Sequence, residues 1–296
     1  MMPGPSVVKI SHFQGLPCVE LSLPQGERAH IALQGAQLLS WTTADGVERI
    51  YLSPRARIDG APIRGGVPLC FPQFNQRSLG PQALPKHGFA RTQPWELQDF
   101  QQSEDWSEAC FDLGSDAQTR ALWPHAFAAT FSVRLEPACL RMAFTVRNTG
   151  PDTWPFALAL HTYLRTDDVS RTRLDGLQGL RYWDAVRHPD QPEVRQLEPK
   201  TVLAFAGETD RVYEGVQAPL TLRHPGGSVL IAQSGSLPEV VVWNPAAGRC
   251  AALDDMPPDG WKHMLCVEAA RVNTPQLLRP GESWSAWQQL RVLRER

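Results

Sequence analysis

The sequence predicts an all-β protein, a sandwich or barrel of many short antiparallel strands. Three observations carry this. Apolar and polar residues alternate with period two in many short runs, as half-buried strands require. Glycine (22) and proline (26) punctuate those runs, the density of turn signals that such folds need. No long amphipathic helical stretch and no repeat of fixed period is present.

The clearest run is 140–147, where Leu140, Met142, Phe144 and Val146 alternate with Arg141, Ala143, Thr145 and Arg147. Asn148-Thr149-Gly150-Pro151 then ends it as a turn. Earlier in the chain, 31–41 reads as a strand, and the polar stretch 112–120 as a helical turn or a loop. Alternation resumes over 154–163. It recurs at 202–205, 220–223, 228–232, 240–243, 264–269 and 285–292. No low-complexity linker divides the chain, so 1–296 reads as a single domain, within the size that all-β folds reach.

Composition excludes several classes. A net charge of −2 offers no global field for nucleic acid or an anionic membrane, so any anion must meet a local cluster of cations. No apolar run approaches the ~18 residues of a membrane span, and Met1 to Val8 carries no secretory signal pattern. Cys18, Cys70, Cys110, Cys139, Cys250 and Cys266 are scattered with no CxxC pair, which reads as reduced thiols in the cytoplasm. Most of the ten tryptophans should pack the core, with roughly one in five at a ligand.

Candidate chemistry lies in a few segments. On a strand over 155–163, Phe156, Leu158 and Leu160 face one way, and Ala157, Ala159 and His161 the other. Small residues leave room above the strand, and His161 at its end could reach a ligand there. It could equally be a core histidine satisfied by a carbonyl. Glu268 stands in the apolar run Met264 to Ala270, with Met264, Cys266 and Ala270 on its own face. A carboxylate there is costly unless paired, hydrogen-bonded or protonated, so it reads as functional over an outward-facing edge residue.

Two loops could grip an anion. Arg64 is followed by Gly65 and Gly66, which let the backbone approach a ligand closely. Lys86, His87 and Arg91 put three potential cations within six residues. Guanidinium groups match phosphate by paired hydrogen bonds, although any single surface arginine is more often a solubility charge. Asp210, in the acid-rich segment Gly207-Glu208-Thr209-Asp210, could accept sugar hydroxyls or close its own turn. Asp254-Asp255 reads as part of a solvated loop. Walker, GxGxxG, HExxH and GxSxG motifs are absent, and His12, His30, His125, His188, His224 and His263 lack metal-ligand spacing. The expected mechanism is acid–base chemistry with no cofactor and no metal.

Six segments, in order over about two hundred residues, resemble the aldose 1-epimerase superfamily, and within it the glucose-6-phosphate 1-epimerase branch. They are Ile63-Arg64-Gly65-Gly66-Val67-Pro68, His87-Gly88-Phe89-Ala90-Arg91, Leu160-His161-Thr162-Tyr163, Glu208 to Tyr213, Val242-Trp243-Asn244-Pro245 and Met264 to Glu268. Gly35-Ala36 to Trp41 extends the match towards the start. The resemblance implies a galactose-mutarotase-like antiparallel β-supersandwich with an open sugar cleft. It implies His161 as general acid, Glu268 as general base, Arg64 and Arg91 on the phosphate side, Asp210 on the sugar and His87 in the cleft loop. Lys86 and Gln73 depart from the pattern, where glutamine and an aromatic are expected. The implied partner is a small hexose 6-phosphate, with no nucleic acid, no membrane and a monomeric protein. Rival readings are an epimerase for unphosphorylated aldoses, a non-catalytic sugar-phosphate-binding module and a glycoside hydrolase, which would want two facing carboxylates.

Overall fold

The computed structural model describes residues 10–77, 79–80 and 83–293. Strands dominate, in antiparallel sheets of four, eight and nine strands. All three sheets contribute to the main apolar core, the four-stranded one through residues such as Leu21, Ile31 and Trp41. Strand Cys139–Asn148 shows how the alternation works. Leu140, Met142, Phe144 and Val146 are fully buried, while Arg141, Ala143, Thr145 and Arg147 face outward. Each large apolar side chain so buried is worth about 1.5–3 kcal/mol. Phe71, Phe127, Phe144 and Phe156 pack as tilted and edge-on pairs between the sheets.

Strand Met264–Leu278 is central to the eight-stranded sheet. It pairs with Glu239–Asn244 on one side and with Trp154–Leu160 and Tyr163–Arg165 on the other. Leu265, Val267 and Ala269 enter the main core, and Cys266, Glu268 and Ala270 face the opposite way. Strand Trp154–Leu160 repeats the pattern. Phe156, Leu158 and Leu160 join the core, and Ala157 and Ala159 line the other face with Phe74, Trp183 and Val241. The sheet breaks at His161-Thr162 before resuming at Tyr163, so His161 stands at a strand end, as its alternation implies.

Two local expectations need correction, and a third, for 112–120, holds in part. The stretch 31–41 is two strands, Arg28–Ala32 and Leu38–Thr42, because Gly35 (φ 72°) and Ala36 (φ 45°) turn the chain between them. Within 112–120, strand Ser107–Gly114 ends and helix Ala117–Leu122 begins, capped by Asp116 and Thr119 in a reciprocal box. Asp210 belongs to strand Thr209–Glu214 rather than to a turn, and pairs with Trp243.

Candidate active site

The floor of the cleft is the outer face of the central strands. Glu268 (1% exposed) and His161 (8% exposed) meet there, His161 Nδ1 lying 3.3 Å from Glu268 Oε1. The two are within ion-pair reach, yet among the described residues His161 Nδ1 and both Glu268 oxygens are buried without a well-aligned hydrogen bond. Tyr163 stacks on the imidazole at 4.8 Å, and Trp243 meets it edge-on at 6.1 Å. Burial holds the Glu268 carboxyl well above the usual carboxylate range, and the Asp210 charge adds to this. Burial also holds His161 well below the usual imidazole range, followed by the fields of Arg91 and Arg64. The free cleft therefore favours a neutral pair.

The arginine rim depends on glycine. At Gly65 (φ 105°) a Cβ would stand 2.5 Å from the Tyr51 carbonyl oxygen, and at Gly66 (φ 67°) 2.3 Å from that of Leu38. Only a bare backbone passes here, and Gln37 Nε2 pins it by donating to the Gly65 carbonyl at 2.7 Å. Arg64 is thereby fixed at the cleft wall. Its Nε donates to Asp255 Oδ1 at 3.1 Å and its Nη1 to the Tyr163 hydroxyl at 3.1 Å. The carboxylate of Asp255, expected in a solvated loop, is in fact the arginine's partner.

The second loop is equally tight. His87 has φ 65°, donates its N–H to the Asn75 carbonyl at 2.8 Å and accepts from the Asn75 N–H on Nδ1 at 3.2 Å. Its ring lies edge-on to His161 at 5.5 Å and to Phe74 at 4.9 Å. Arg91 Nη2 donates to the Lys86 carbonyl at 2.6 Å, and Arg91 Nε is buried without a partner among the described residues. Gln73 is buried and its amide holds the carbonyls of Asn75, Leu84 and Pro85. It braces the loop, and Phe74 next to it supplies an aromatic wall instead.

Two adjoining cavities result. One, of about 310 Å³, is bordered by Arg57, Arg64, Lys86, Arg91 and Asp255. The other, of about 140 Å³, is bordered by Asp210, Trp243, Arg249, His87 and Glu268. His161, His87, Arg64 and Lys86 border both. Arg57 and Arg91 border the larger cavity, Arg249 the smaller, and Arg64 and Lys86 stand with His161 where the two meet. Burial pushes Asp210 up to about 6, against the pull of Arg249 and Lys86. Desolvation, then Arg249, Arg64 and Arg91, lowers the Lys86 ammonium.

This arrangement has relatives. The family model for aldose 1-epimerase matches residues 17–291. The chain belongs to the aldose 1-epimerase family. It is 31% identical to a protein of Cenchrus ciliaris named "Putative glucose-6-phosphate 1-epimerase", over 96% of this chain and 87% of that one. It is 32% identical to an Escherichia coli K12 protein of the same name, over 90% of this chain and 87% of that one. The crystal structure of "a putative mutarotase" from Salmonella typhimurium superposes with a TM-score of 0.87 at 27% identity, covering 98% of this chain and 97% of that one. The fold is that of the mutarotases.

All seven residues singled out from the sequence (Arg64, Lys86, His87, Arg91, His161, Asp210 and Glu268) border this family member's cleft. Arg57, Tyr163, Trp243, Arg249 and Asp255 border it too and were not singled out as site residues. Tyr163 and Trp243 lay inside quoted motifs, so a signal existed. Arg57 is a loop charge and Arg249 lies in the short helix Ala246–Cys250, and nothing in the local sequence pattern distinguishes either from a solvated charge. Of the ten tryptophans, Trp243 borders the cleft while Trp41 and Trp154 are core.

Proposed function

We propose that this chain interconverts the α and β anomers of a hexose 6-phosphate, glucose 6-phosphate above all. The observation that carries this is the pairing of His161 with Glu268 on a floor whose mouth is ringed by Arg57, Arg64, Lys86 and Arg91. Anomer exchange needs a proton taken from the C1 hydroxyl and one given to the ring oxygen. The C1–O5 bond breaks, the open-chain aldehyde turns about C1–C2, and closure on the other face reverses both transfers. Each group is worth about 10²–10⁴-fold.

Charge on the substrate sets the pair for this task. In the free cleft burial, reinforced by the fields of Arg91 and Arg64, holds His161 neutral. A phosphate dianion among them offsets their field, so the imidazole gains affinity for a proton. Passage of the Glu268 proton to Nδ1, across 3.3 Å, leaves a carboxylate base and an imidazolium acid. Asp210 and His87 bond sugar hydroxyls, and Lys86 adds a point charge where arginine adds a fork. The reaction asks for no metal or cofactor. Six unpaired cysteines accord with a cytoplasmic setting, and a cleft built from one chain accords with a monomer.

Exchange spectroscopy by NMR on α-glucose 6-phosphate, α-glucose and α-galactose tests the reading. Rapid exchange of the phosphorylated sugar is expected, lost by about 10²-fold or more in His161→Asn and Glu268→Gln. Near wild-type exchange in either folded variant would overturn the acid–base assignment. One observation favours a neutral aldose instead, namely that Asp255 already engages Arg64. Equal rates on glucose and its phosphate would decide for that.

A further inference from the structure

Beside the candidate pair lies a third side chain with no part in the proposed reaction. Cys266 and Glu268 are two residues apart on strand Met264–Leu278, so they face the same way. Tyr163 is registered opposite Cys266, which brings His161, two residues earlier, over the same spot. One ligand atom from each of His161, Cys266 and Glu268 falls within a span of 4.8 Å. All three residues are buried, Cys266 completely. His161 Nδ1 and both Glu268 oxygens also lack hydrogen-bond partners among the described residues.

We propose that His161, Cys266 and Glu268 form a site for a thiophilic divalent cation such as Zn²⁺, whose binding reversibly shuts the enzyme off. The donor set of one imidazole nitrogen, one thiolate and one carboxylate oxygen suits a four-coordinate ion with one open position. Ligand bonds of about 2.0–2.3 Å place tetrahedral donors about 3.3–3.6 Å apart. Nδ1 and Oε1 already stand 3.3 Å apart. The widest separation asks for at most a ~1.2 Å inward shift, within reach of side-chain rotation. The ion balances chemically as well. One divalent cation replaces the Cys266 thiol proton and the Glu268 carboxyl proton, both released to solvent, and the imidazole lends its Nδ1 lone pair. The net charge of the site is unchanged, so the surrounding arginines oppose the ion little. His161 and Glu268 border the cavity that Asp210 and Trp243 also border, which gives an ion a way in.

Binding stands apart from the epimerase reading, and only the inhibition rests on it. The probe is Co²⁺, followed by absorbance on the full chain, with Zn²⁺ as competitor. Expected are a thiolate-to-cobalt charge-transfer band and tetrahedral d–d bands, both erased by Zn²⁺. In Cys266→Ala the band disappears, and half-saturation with Zn²⁺ rises more than about 100-fold, since loss of an outer-shell partner alone costs ~10–100-fold. Zn²⁺ should stop wild-type anomer exchange, chelator should restore it, and Cys266→Ala should exchange anomers while resisting Zn²⁺. Absence of the band in wild type, or equal Zn²⁺ response in the folded variant, overturns the site. Should Cys266→Ala fail to fold, Glu268→Gln must weaken Co²⁺ binding by a similar factor, and unchanged binding there overturns the site too. A band with no anomer exchange to inhibit would sustain the site and sink the functional reading.

Discussion

Replacing Asp210 by asparagine should make the protein more stable and a poorer enzyme, and the size of the first effect follows from the structure. Asp210 sits partly buried at the cleft, on strand Thr209–Glu214, with no donor to its carboxylate among the described residues. Burial raises its pKa from 3.8 to about 6. A carboxyl that binds its proton more tightly folded than unfolded stabilises the fold at low pH. That stability fades as pH rises through the window from about 4 to about 6. By pH 8 the ionised group costs up to about 3 kcal/mol, at 1.36 kcal/mol for each tenfold change in proton affinity. This is a ceiling, because the open side of the carboxylate touches cleft water. Asparagine has the same shape and no charge. The variant should therefore match wild type below about pH 4 and exceed it by up to about 3 kcal/mol at pH 8, while KM for the sugar phosphate rises. Urea melts at several pH values, run beside exchange kinetics, measure both. A variant whose stability follows the same pH slope as wild type would refute the reasoning.

Other expectations concern recognition and the rim. Arg64→Ala and Arg91→Ala should each raise KM for glucose 6-phosphate about 10–100-fold, from ~1.5–3 kcal/mol per charge-assisted bond, and should hold or raise exchange of free glucose, because each removes part of the field that keeps a proton off His161; equal losses on both sugars would make these arginines wall supports. Lys86→Gln should weaken the phosphorylated sugar more mildly, as steady-state kinetics in low and high salt would report. Inorganic phosphate should compete with glucose 6-phosphate yet accelerate exchange of free glucose, because it supplies the anion that lets His161 hold a proton; no acceleration at saturating phosphate argues against that coupling. At Gly88 (φ 72°) a Cβ would stand 2.1 Å from the Phe71 carbonyl oxygen, so Gly88→Ala should lose about 2–4 kcal/mol in denaturant melts.

Much of this molecule was legible because its signals are local. The alternation in 140–147 is the burial pattern of strand Cys139–Asn148, and Glu268 drew notice because a carboxylate in an apolar run needs a reason to be there. Where two choices fit one stretch, local pattern failed. Residues 31–41 are apolar enough for one strand, and only the left-handed turn at Gly35-Ala36 divides them. Asp210 follows turn-like neighbours, yet cross-strand pairing with Trp243 draws it into the sheet. Asp255 was illegible for a different reason. Its partner Arg64 is 191 positions away, and no periodicity reports a contact of that range. Cys266 likewise gains meaning only from the break in the sheet that brings His161 above it.

Strand Met264–Leu278 has neighbours on both edges and apolar packing beneath it, so its carboxylate stands on the part of the molecule least free to change. Every cation near the mouth, by contrast, hangs from connections between strands: Arg57 and Arg64 from one, Lys86 and Arg91 from another. Reactivity and selectivity are therefore inherited separately. Side chains on those connections can change while the backbone contacts of Gly65, Gly66 and Gly88 are kept, and drift in the sheet is checked by the core on its far side. One set of strands can thereby carry different rims, with change confined to the side chains that the tight connections present.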